Sequence, residues 1–325
     1  MRTVITGGAG FIGLHLAQRL LDSGAEVVLV DNFQRATRDR DLNRILRHPR
    51  CELYEVNLIE DRLPKIDADA IVHLAAIVGV QNVTSRPYEV LRSNVDALTR
   101  VLDWATEISS LKNFLFTSTS EIYGGSVRSG LALVPTPEQT PLMIEDPQDP
   151  RGTYLLSKIY GEALCGFSGL PHTIVRPHNV YGPRMGMSHV VPELLRKCWA
   201  AEPGSSVGVT SVEHTRTFLY IDDATEYLEA LLREPGAGQV LNLGSEGPEV
   251  SIGTLAELIV ETVGKPLTIV PLEPTLGSPP RRAPDTSLIK AATGLRARTS
   301  LPEGLTSTYS WYRTHVFEKT GVASV

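Results

Sequence analysis

The sequence predicts an α/β protein in which a doubly wound parallel sheet is followed by a smaller C-terminal lobe. Two observations predict this fold class. Short apolar runs alternate with stretches of helical periodicity through the first half of the chain, as where Ala70–His73 precedes residues 87–108. A glycine-rich turn also separates the first apolar run from the first amphipathic stretch, within residues 3–13. In such sheets, ligands bind at the carboxyl ends of the strands.

The N-terminal turn has the composition of a dinucleotide-binding turn. Gly7, Gly10 and Gly13 follow the apolar residues Val4 and Ile5, and a helix is predicted over residues 11–21. Glycines let the backbone approach a pyrophosphate closely, and the helix N-terminus supplies free N–H groups and a positive dipole end. An ordinary strand-to-helix turn is the alternative, but this position between strand and helix favours a Rossmann-type nucleotide site.

The second predicted strand, residues 26–30, leads into Asp31. An acidic residue about twenty positions beyond the glycines holds the adenosine ribose 2′-OH and repels a 2′-phosphate. The sequence therefore favours NAD over NADP, although Arg35 and Arg38 lie close enough to keep NADP as an alternative. Further strands are predicted at residues 51–56, 70–73 and 113–117.

The second half of the chain has a looser pattern. Residues 125–150 are rich in Pro, Gly and Ser and are predicted to be an irregular excursion at the rim of the active site. Later predicted elements are a helix at 153–165, a strand at 172–176 and helices near 190–200, 222–233 and 252–264. We predict a nucleotide-binding domain over residues 1–178 and a mainly substrate-binding lobe over 179–325, from which strands can return to the main sheet.

Composition narrows the class of partner. The 325 residues are 42% hydrophobic and 21% charged with a net charge of −6, which is typical of a globular protein without general affinity for nucleic acid. No apolar run reaches membrane-spanning length, and the N-terminus enters a core strand without a signal peptide. The three cysteines have no metal or redox spacing, and the histidines have no ligand spacing. A cytoplasmic protein without a metal or membrane partner is expected.

Tyr154 and Lys158 form the candidate catalytic pair. They lie one helical turn apart, and no other of the ten tyrosines is followed by lysine four residues later. Free tyrosine has a pKa near 10, so it needs an adjacent cation to act as a base at neutral pH. Lys158 and the positive nicotinamide of NAD+ would supply that charge. Thr119, at the end of the fifth strand, is placed to bond the same substrate oxygen.

With these motifs, the chain resembles the extended short-chain dehydrogenase/reductases that act on nucleotide sugars. The glycine turn, Asp31, Thr119 and the Tyr154–Lys158 pair match that family over nearly the whole length. The resemblance implies that Asn179, Arg216 and Arg282 contact the nucleotide diphosphate, and that Ser120, Arg151, Arg184 and Asp285 also bind the substrate. It also implies that the NAD site is completed by Phe11, Ile12, Asn32, Asn57, Leu58, Leu74, Ala75 and Ala76. One departure is Asn57, where the family usually has Asp; the Asn carbonyl can still accept the adenine amino group.

The reaction is less determined than the family. Such enzymes oxidise the sugar C4 hydroxyl, after which epimerases, dehydratases and decarboxylases differ. Glu121, after Ser120, supplies a carboxylate beside C5, which both dehydration and decarboxylation need. Arg151, three residues before Tyr154, is similar to the arginine of UDP-glucuronate decarboxylases.

The resemblance favours decarboxylation of UDP-glucuronate, with a 4-epimerase and then a dehydratase as alternatives. Three alternatives stay open. Glu121 can be a solvated carboxylate without a catalytic role, and Arg151 can form a surface salt bridge. The whole chain can be a non-catalytic NAD-binding scaffold. The resemblance also implies a homodimer formed through residues 87–108 and 153–165.

Overall fold

A computed structural model describes residues 1–274 and 277–319 of the chain. In these residues the strands are, in chain order, β1 (Arg2–Thr6), β2 (Glu26–Asp31), β3 (Cys51–Glu55), β4 (Ala70–His73), β5 (Asn113–Thr117), β6 (His172–Pro177), β7 (Val180–Tyr181), β8 (Ser206–Thr210), β9 (Thr215–Arg216), β10 (Leu219–Tyr220), β11 (Gln239–Leu243), β12 (Val250–Ser251), β13 (Thr268–Leu272) and β14 (Arg281–Arg282).

The α-helices of the same residues are α1 (Phe11–Asp22), α2 (Arg40–Leu46), α3 (Val80–Ser85), α4 (Pro87–Thr106), α5 (Gly124–Arg128), α6 (Gly152–Phe167), α7 (Val190–Ala200), α8 (Ile221–Arg233), α9 (Ile252–Val263), α10 (Ser287–Thr293) and α11 (Leu301–Tyr312). A 3₁₀ turn covers Ser120–Tyr123, and a π turn continues α11 over Arg313–Phe317.

The central sheet has seven strands in the order β11-β6-β5-β4-β1-β2-β3, and every neighbouring pair is parallel. This arrangement confirms the predicted doubly wound α/β fold. The strand order reverses between β1 and β4, so a crevice opens at their carboxyl ends.

The apolar strand sequences follow from burial on both faces of this sheet. Val4 packs in the cluster that contains the buried residues of α4 and α6, whereas its neighbour Ile5 packs with those of α1 and α8. In β5, Phe114 likewise packs on the side of α4 and α6, and Leu115 packs on the side of α1 and α8. Each strand therefore contributes to two cores, one on each side, and the edge at which the strands end is fixed in position.

The predicted elements agree with the structure within two residues at each end. The main differences are short helices that the periodicity did not indicate, such as α2 and α3. The excursion predicted from residue 125 is also not irregular at its start, because α5 occupies its first residues.

Part of the predicted C-terminal lobe belongs to the main sheet. Strand β11 pairs with β6, and α8 packs against α1, where Arg19 bonds Thr225 and the carbonyl oxygen of Asp222. The β8–β13 pair, α7 and α9 build a separate layer beyond the sheet. The division at residue 178 stays a prediction, and residues 275–276 and 320–325 of the predicted lobe lie outside the described residues.

Candidate active site

One large cleft lies at the carboxyl edge of the sheet, with a volume of about 760 Å³. A cleft of this size is typical of a small-molecule site. It is lined by all of the residues predicted for the cofactor, namely Gly7, Gly10, Phe11, Ile12, Gly13, Asp31, Asn32, Asn57, Leu58, Leu74, Ala75 and Ala76. It is also lined by Thr119, Ser120, Glu121, Tyr154, Lys158, Asn179, Arg184 and Arg282. The structure therefore brings most of the sequence-predicted site together.

The glycine turn is close-packed at the positions where the sequence has glycine. Gly7 has φ +69°, and a Cβ there would lie 2.8 Å from the amide nitrogen of Ala75. A Cβ at Gly13 would lie 2.5 Å from the carbonyl oxygen of Gly7. Larger residues would push the turn away from β4 and open the start of α1. This tight turn at a helix N-terminus fits a dinucleotide pyrophosphate.

Asp31 is held at the end of β2, against the same turn. Its carboxylate accepts hydrogen bonds from the amides of Ala9 at 3.0 Å and Phe33 at 2.9 Å. Burial raises the pKa of Asp31, while these two bonds oppose the shift. The fixed carboxylate fits an adenosine ribose. Arg38 lies over the Phe33 ring and pairs with Glu55, so its charge is already compensated.

Arg184, a predicted substrate ligand, lines the cleft and bonds the glycine turn of the cofactor site. Its guanidinium pairs with Asp39 at 2.6 Å and donates to the carbonyl oxygens of Ala9 and Gly10 at 2.9 and 3.3 Å. These bonds tie the glycine turn to the segment before α2. Arg184 therefore stabilises the shape of the cofactor site, and its role as a substrate ligand stays a prediction.

Lys158 is buried in α6 and points at the end of β5. Its ammonium group donates a hydrogen bond of 2.7 Å to the carbonyl oxygen of Thr117. Burial lowers the pKa of Lys158 to about 8, while Cys165 and Glu162 oppose the shift. The charged lysine is thus destabilised by its surroundings, which is common for functional residues.

The pKa of Tyr154 is raised, in contrast to the lowering expected from Lys158. Burial is the main cause, and the negative charge of Glu121 adds to it; the Thr119 hydroxyl and the positive charge of Arg35 oppose it. The groups of the chain thus favour the neutral phenol. A further positive charge at the phenol is required for base catalysis near neutral pH, and the nicotinamide ring of NAD+ carries one.

Glu121 lies on the 3₁₀ turn that follows β5. Thr119 caps this turn, since its hydroxyl accepts a hydrogen bond of 3.2 Å from the Glu121 amide. Ser120, the first residue of the turn, is buried, whereas Glu121 is exposed and lines the cleft. A carboxylate, a hydroxyl and the Tyr154 phenol therefore line the same cleft, and their roles in catalysis stay predictions.

Three predicted substrate ligands do not line the cleft. Arg216 is buried and donates to the carbonyl oxygen of Pro279 at 2.7 Å and to the Ser278 hydroxyl at 3.0 Å. The Asp285 carboxylate accepts from the Ser287 amide within its own turn. Arg151 is exposed at the start of α6. Their roles as ligands stay predictions.

Arg282 does line the cleft. Among residues 1–274 and 277–319 its guanidinium has no hydrogen-bond partner. Arg216 therefore holds the segment that precedes Arg282, and the Arg282 guanidinium is available to an anion in the cleft.

The cleft is also lined by His189 and Asn94, which have no predicted role, and by Arg35, which was predicted only as a possible partner of a 2′-phosphate. Arg35 and His189 come from loops whose course the local sequence does not determine. Asn94 bonds the amide and carbonyl groups of Ile77 at 2.7 and 3.0 Å and so fixes the loop after β4. A polar residue on the apolar face of α4 was the available signal for Asn94.

A family model matches most of the chain. The model for the NAD dependent epimerase/dehydratase family matches residues 3–244. The chain belongs to this family. It is therefore an enzyme of an NAD-dependent family, and NAD is its cofactor, as the sequence predicted. The non-catalytic scaffold is not supported.

Curated relatives extend the similarity to the full length. The chain is 32% identical to the UDP-N-acetyl-alpha-D-glucosaminuronate decarboxylase of Bacillus cytotoxicus, over 96% of this chain and 98% of that protein. It is 31% identical to UDP-glucuronic acid decarboxylase 1 of Arabidopsis thaliana, over 98% of this chain and 71% of that protein.

Solved structures of epimerases have the same architecture. The UDP-glucose 4-epimerase of Thermotoga maritima, determined with UDP-glucose, is 26% identical with a TM-score of 0.83 over 98% of this chain and all of that chain. The UDP-glucuronic acid 4-epimerase of Bacillus cereus, determined with UDP-glucuronic acid and NAD, is 27% identical with a TM-score of 0.83 over 97% of this chain and 99% of that chain.

The described residues contain neither a metal-ligand cluster nor a membrane-spanning helix. In residues 1–274 and 277–319, no three His, Cys, Asp or Glu side chains are grouped to hold a metal ion. No helix in that same part is long and apolar enough to cross a membrane.

Proposed function

We propose that the protein is an NAD-dependent decarboxylase of a UDP-uronic acid, with UDP-glucuronate as the predicted substrate. The observation that carries this proposal is the position of Glu121 at the cleft beside Tyr154, because a carboxylate there serves a step after oxidation at C4. The decarboxylase names of the full-length relatives support the same reaction.

The first step is oxidation at C4 of the sugar. NAD+, when bound, supplies the acceptor for the two electrons that leave C4. The Tyr154 phenolate takes the proton of the C4 hydroxyl, and the Thr119 hydroxyl orients the same oxygen. Lys158, fixed on Thr117, lies 5.8 Å from the centre of the Tyr154 ring, and the positive nicotinamide of bound NAD+ would supply the further charge that favours the ionised tyrosine.

The second step breaks the bond between C5 and C6. With a ketone at C4, the C6 carboxylate is β to a carbonyl, so the electrons of the C5–C6 bond move into the C4–C5 enolate as carbon dioxide leaves. In the proposed mechanism, Glu121 then relays a proton to C5 and completes the product. The ketone is either released or reduced again, and the geometry favours neither outcome.

Binding of the substrate requires compensation of a diphosphate. Arg282 lines the cleft, and Asn179 lies nearby with its amide on the Thr217 carbonyl oxygen at 2.9 Å. A guanidinium group suits a diphosphate because its N–H groups match pairs of phosphate oxygens. We assign this contact to Arg282 and a supporting role to Arg216.

Incubation with NAD+ and single nucleotide sugars tests the proposal. UDP-glucuronate, UDP-N-acetylglucosaminuronate and UDP-glucose are compared, with mass detection of each product. Loss of the mass of carbon dioxide from a uronate is expected. Conversion of UDP-glucuronate to UDP-galacturonate without a change of mass would instead favour a 4-epimerase, and loss of water would favour a dehydratase.

We also propose a homodimer that pairs α4 and α6 with the same helices of a second copy. The two helices pack side by side on one face of the sheet. Their outer surface exposes large side chains, with Tyr88 74%, Tyr160 52% and Phe167 90% exposed. Burial of such residues against a partner would remove apolar surface from water.

A further inference from the structure

A buried polar cluster behind the cleft is centred on Asn242. This residue lies on β11 and is fully buried. Its carboxamide oxygen accepts from the Tyr123 hydroxyl at 2.9 Å and from His178 Nε2 at 3.1 Å. Its carboxamide nitrogen donates to the carbonyl oxygens of Thr136 at 2.9 Å and Asp285 at 3.1 Å. All four hydrogen-bonding positions of the side chain are used.

One side of this cluster holds the turn that carries Glu121. Tyr123 is the last residue of that turn, and its hydroxyl also accepts a bond of 2.6 Å from Arg176. Arg176 forms a buried bidentate salt bridge with Glu162 of α6, with hydrogen bonds of 2.9 and 2.6 Å. Glu162 lies one helical turn beyond Lys158, so the cluster joins the Glu121 turn to the catalytic helix.

The other side of the cluster holds the segment that follows Arg282. The Asp285 carbonyl is bound by Asn242, while the Asp285 amide donates to the Thr136 carbonyl at 2.9 Å. The Thr136 amide donates to the Ala283 carbonyl at 2.8 Å. Ala283 and Asp285 are therefore fixed on both sides of Pro284, directly after the arginine that lines the cleft.

We propose that Asn242 is a positioning residue that sets Arg282 relative to Glu121 across the active site. It contacts neither the reacting atoms nor the cofactor turn. Its two donors fix the Arg282 segment, and its acceptor fixes the Glu121 turn through Tyr123. This inference rests on the proposed function for the identity of the substrate, but its binding test is independent of turnover.

The protonation of the cluster is consistent with a fixed role. Burial lowers the pKa of His178 to about 3, so the ring is neutral near pH 7. Because Asn242 Oδ1 can only accept, the proton of His178 lies on Nε2. Arg176, Arg282, Glu162, Glu138 and Asp285 are the charged groups that face the cluster. The Glu138 carboxylate accepts a hydrogen bond of 2.8 Å from the backbone amide of Asn242.

Asn242→Asp is the sharpest test, because it keeps the shape of the side chain and replaces the two donors by an oxygen. The matched control is Asn113→Asp. Asn113 is equally buried and donates to the carbonyl oxygens of Leu231 and Glu234 at 3.0 and 3.2 Å. Asn113 starts β5, at the opposite end of the sheet from the cleft. Each variant therefore loses two side-chain hydrogen bonds to carbonyl oxygens, but only Asn242 is bonded to segments of the active site.

Binding of UDP and of NAD+ is measured by calorimetry for the wild type and both variants. We expect Asn242→Asp to weaken UDP binding and raise the KM of the nucleotide sugar about ten- to hundredfold, since small displacements of a holding group have effects of this size. NAD+ affinity stays unchanged. Asn113→Asp lowers thermal stability to a similar extent and changes neither affinity.

Tyr123→Phe tests the other side and adds no cavity. The hydroxyl that joins Asn242 to Arg176 is lost while His178 still occupies the Asn242 oxygen. We expect a lower kcat with an unchanged KM, because the Glu121 turn is loosened and the Arg282 segment is not. This variant keeps the proposal testable if Asn242→Asp does not fold.

Equal effects of Asn242→Asp and Asn113→Asp on UDP affinity would overturn the proposal, and so would a Tyr123→Phe enzyme with wild-type kcat. Failure of the proposed function gives a different result. In that case the wild type does not decarboxylate a uronate, yet UDP binding still depends on Asn242.

Discussion

The ammonium group of Lys158 donates a 2.7 Å hydrogen bond to the carbonyl oxygen of Thr117, at the point where β5 ends. The bond fixes the lysine under the catalytic tyrosine but does not compensate its charge. Burial lowers the pKa of Lys158 from its usual 10.5 to about 8. A functional residue is thus held in a state that lowers the stability of the fold.

A pH dependence of stability follows. Below pH 8 the lysine is charged in both the folded and the unfolded chain, and its burial cost is constant. Between pH 8 and 10.5 the unfolded chain binds more protons, so the free energy of unfolding rises with pH. Relative to Lys158→Met, we expect the wild type to gain about 2 to 3 kcal/mol between pH 7 and 10. Denaturant unfolding of both proteins measures the difference, and parallel pH profiles would contradict it.

Asp31 is expected to make NAD bind more tightly than NADP. Its carboxylate is fixed by the Ala9 and Phe33 amides, and Arg38 is engaged by Glu55 and cannot readily compensate a 2′-phosphate. Asp31→Ala should narrow the gap between the two dissociation constants, mainly by improving NADP binding. Calorimetry with NAD and with NADP measures the two dissociation constants, and Asp22→Ala, at the far end of α1, is the control. Equal affinities in the wild type would contradict the prediction.

Arg184→Met tests the assignment of Arg184 to the cofactor site. Loss of its bonds to Asp39 and the Ala9 carbonyl frees the glycine turn, so we expect NAD+ to bind roughly tenfold more weakly, since bonds to a charged group contribute about 1.5–3 kcal/mol. UDP affinity should change little. Arg19→Met, which removes a similarly bonded arginine at the other end of α1, is the control. A selective loss of UDP affinity would return Arg184 to the substrate site.

Phe167→Glu and Tyr160→Glu are expected to shift the proposed dimer towards monomer, because a charge on the outer surface of α6 cannot be buried without cost. Light scattering across micromolar concentrations measures the mass. Leu133→Glu, an equally exposed apolar residue away from these helices, should leave the dimer intact. A monomeric wild type at these concentrations would rule the dimer out.

A residue's place in the fold or in the site could be predicted from sequence when its neighbours in space are also close to it in the chain. The strand β5 and the 3₁₀ turn after it are contiguous, so Thr119 and Glu121 could be placed at the sheet edge from pattern alone. Tyr154 and Lys158 share one helix face and were equally accessible. The NAD site was predictable for the same reason, since its turn and its acid are separated by one helix.

The arginines show where local pattern is insufficient. Arg184 and Arg216 have the residue types that a diphosphate needs, but their partners come from distant segments, Asp39 in one case and Pro279 in the other. Which guanidinium is left to face the cleft depends on that tertiary pairing. The direction of the Tyr154 pKa shift depends on burial, which spacing does not reveal either.

Glu121 shares the cleft with Tyr154, and its charge raises the pKa of the phenol. The two side chains are thus close enough to act on one sugar but have different tasks in the proposed mechanism. Tyr154 removes the proton from the C4 hydroxyl, whereas Glu121 serves C5 after the carboxylate has left. Substitution should therefore separate the two steps.

Tyr154→Phe is expected to abolish NADH formation from UDP-glucuronate, because no base remains for the C4 hydroxyl. Glu121→Gln should still form NADH and release carbon dioxide, but should form the C5-protonated product roughly a hundred- to ten-thousandfold more slowly, the range that general acid–base assistance contributes. Single-turnover mixing that follows NADH absorbance, carbon dioxide and the mass of the product measures these steps separately. Ser129→Ala, on the exposed loop after α5, is the control and should match the wild type. Unaltered formation of the C5-protonated product by Glu121→Gln would remove Glu121 from the mechanism, and loss of NADH formation in that variant would assign it to oxidation instead.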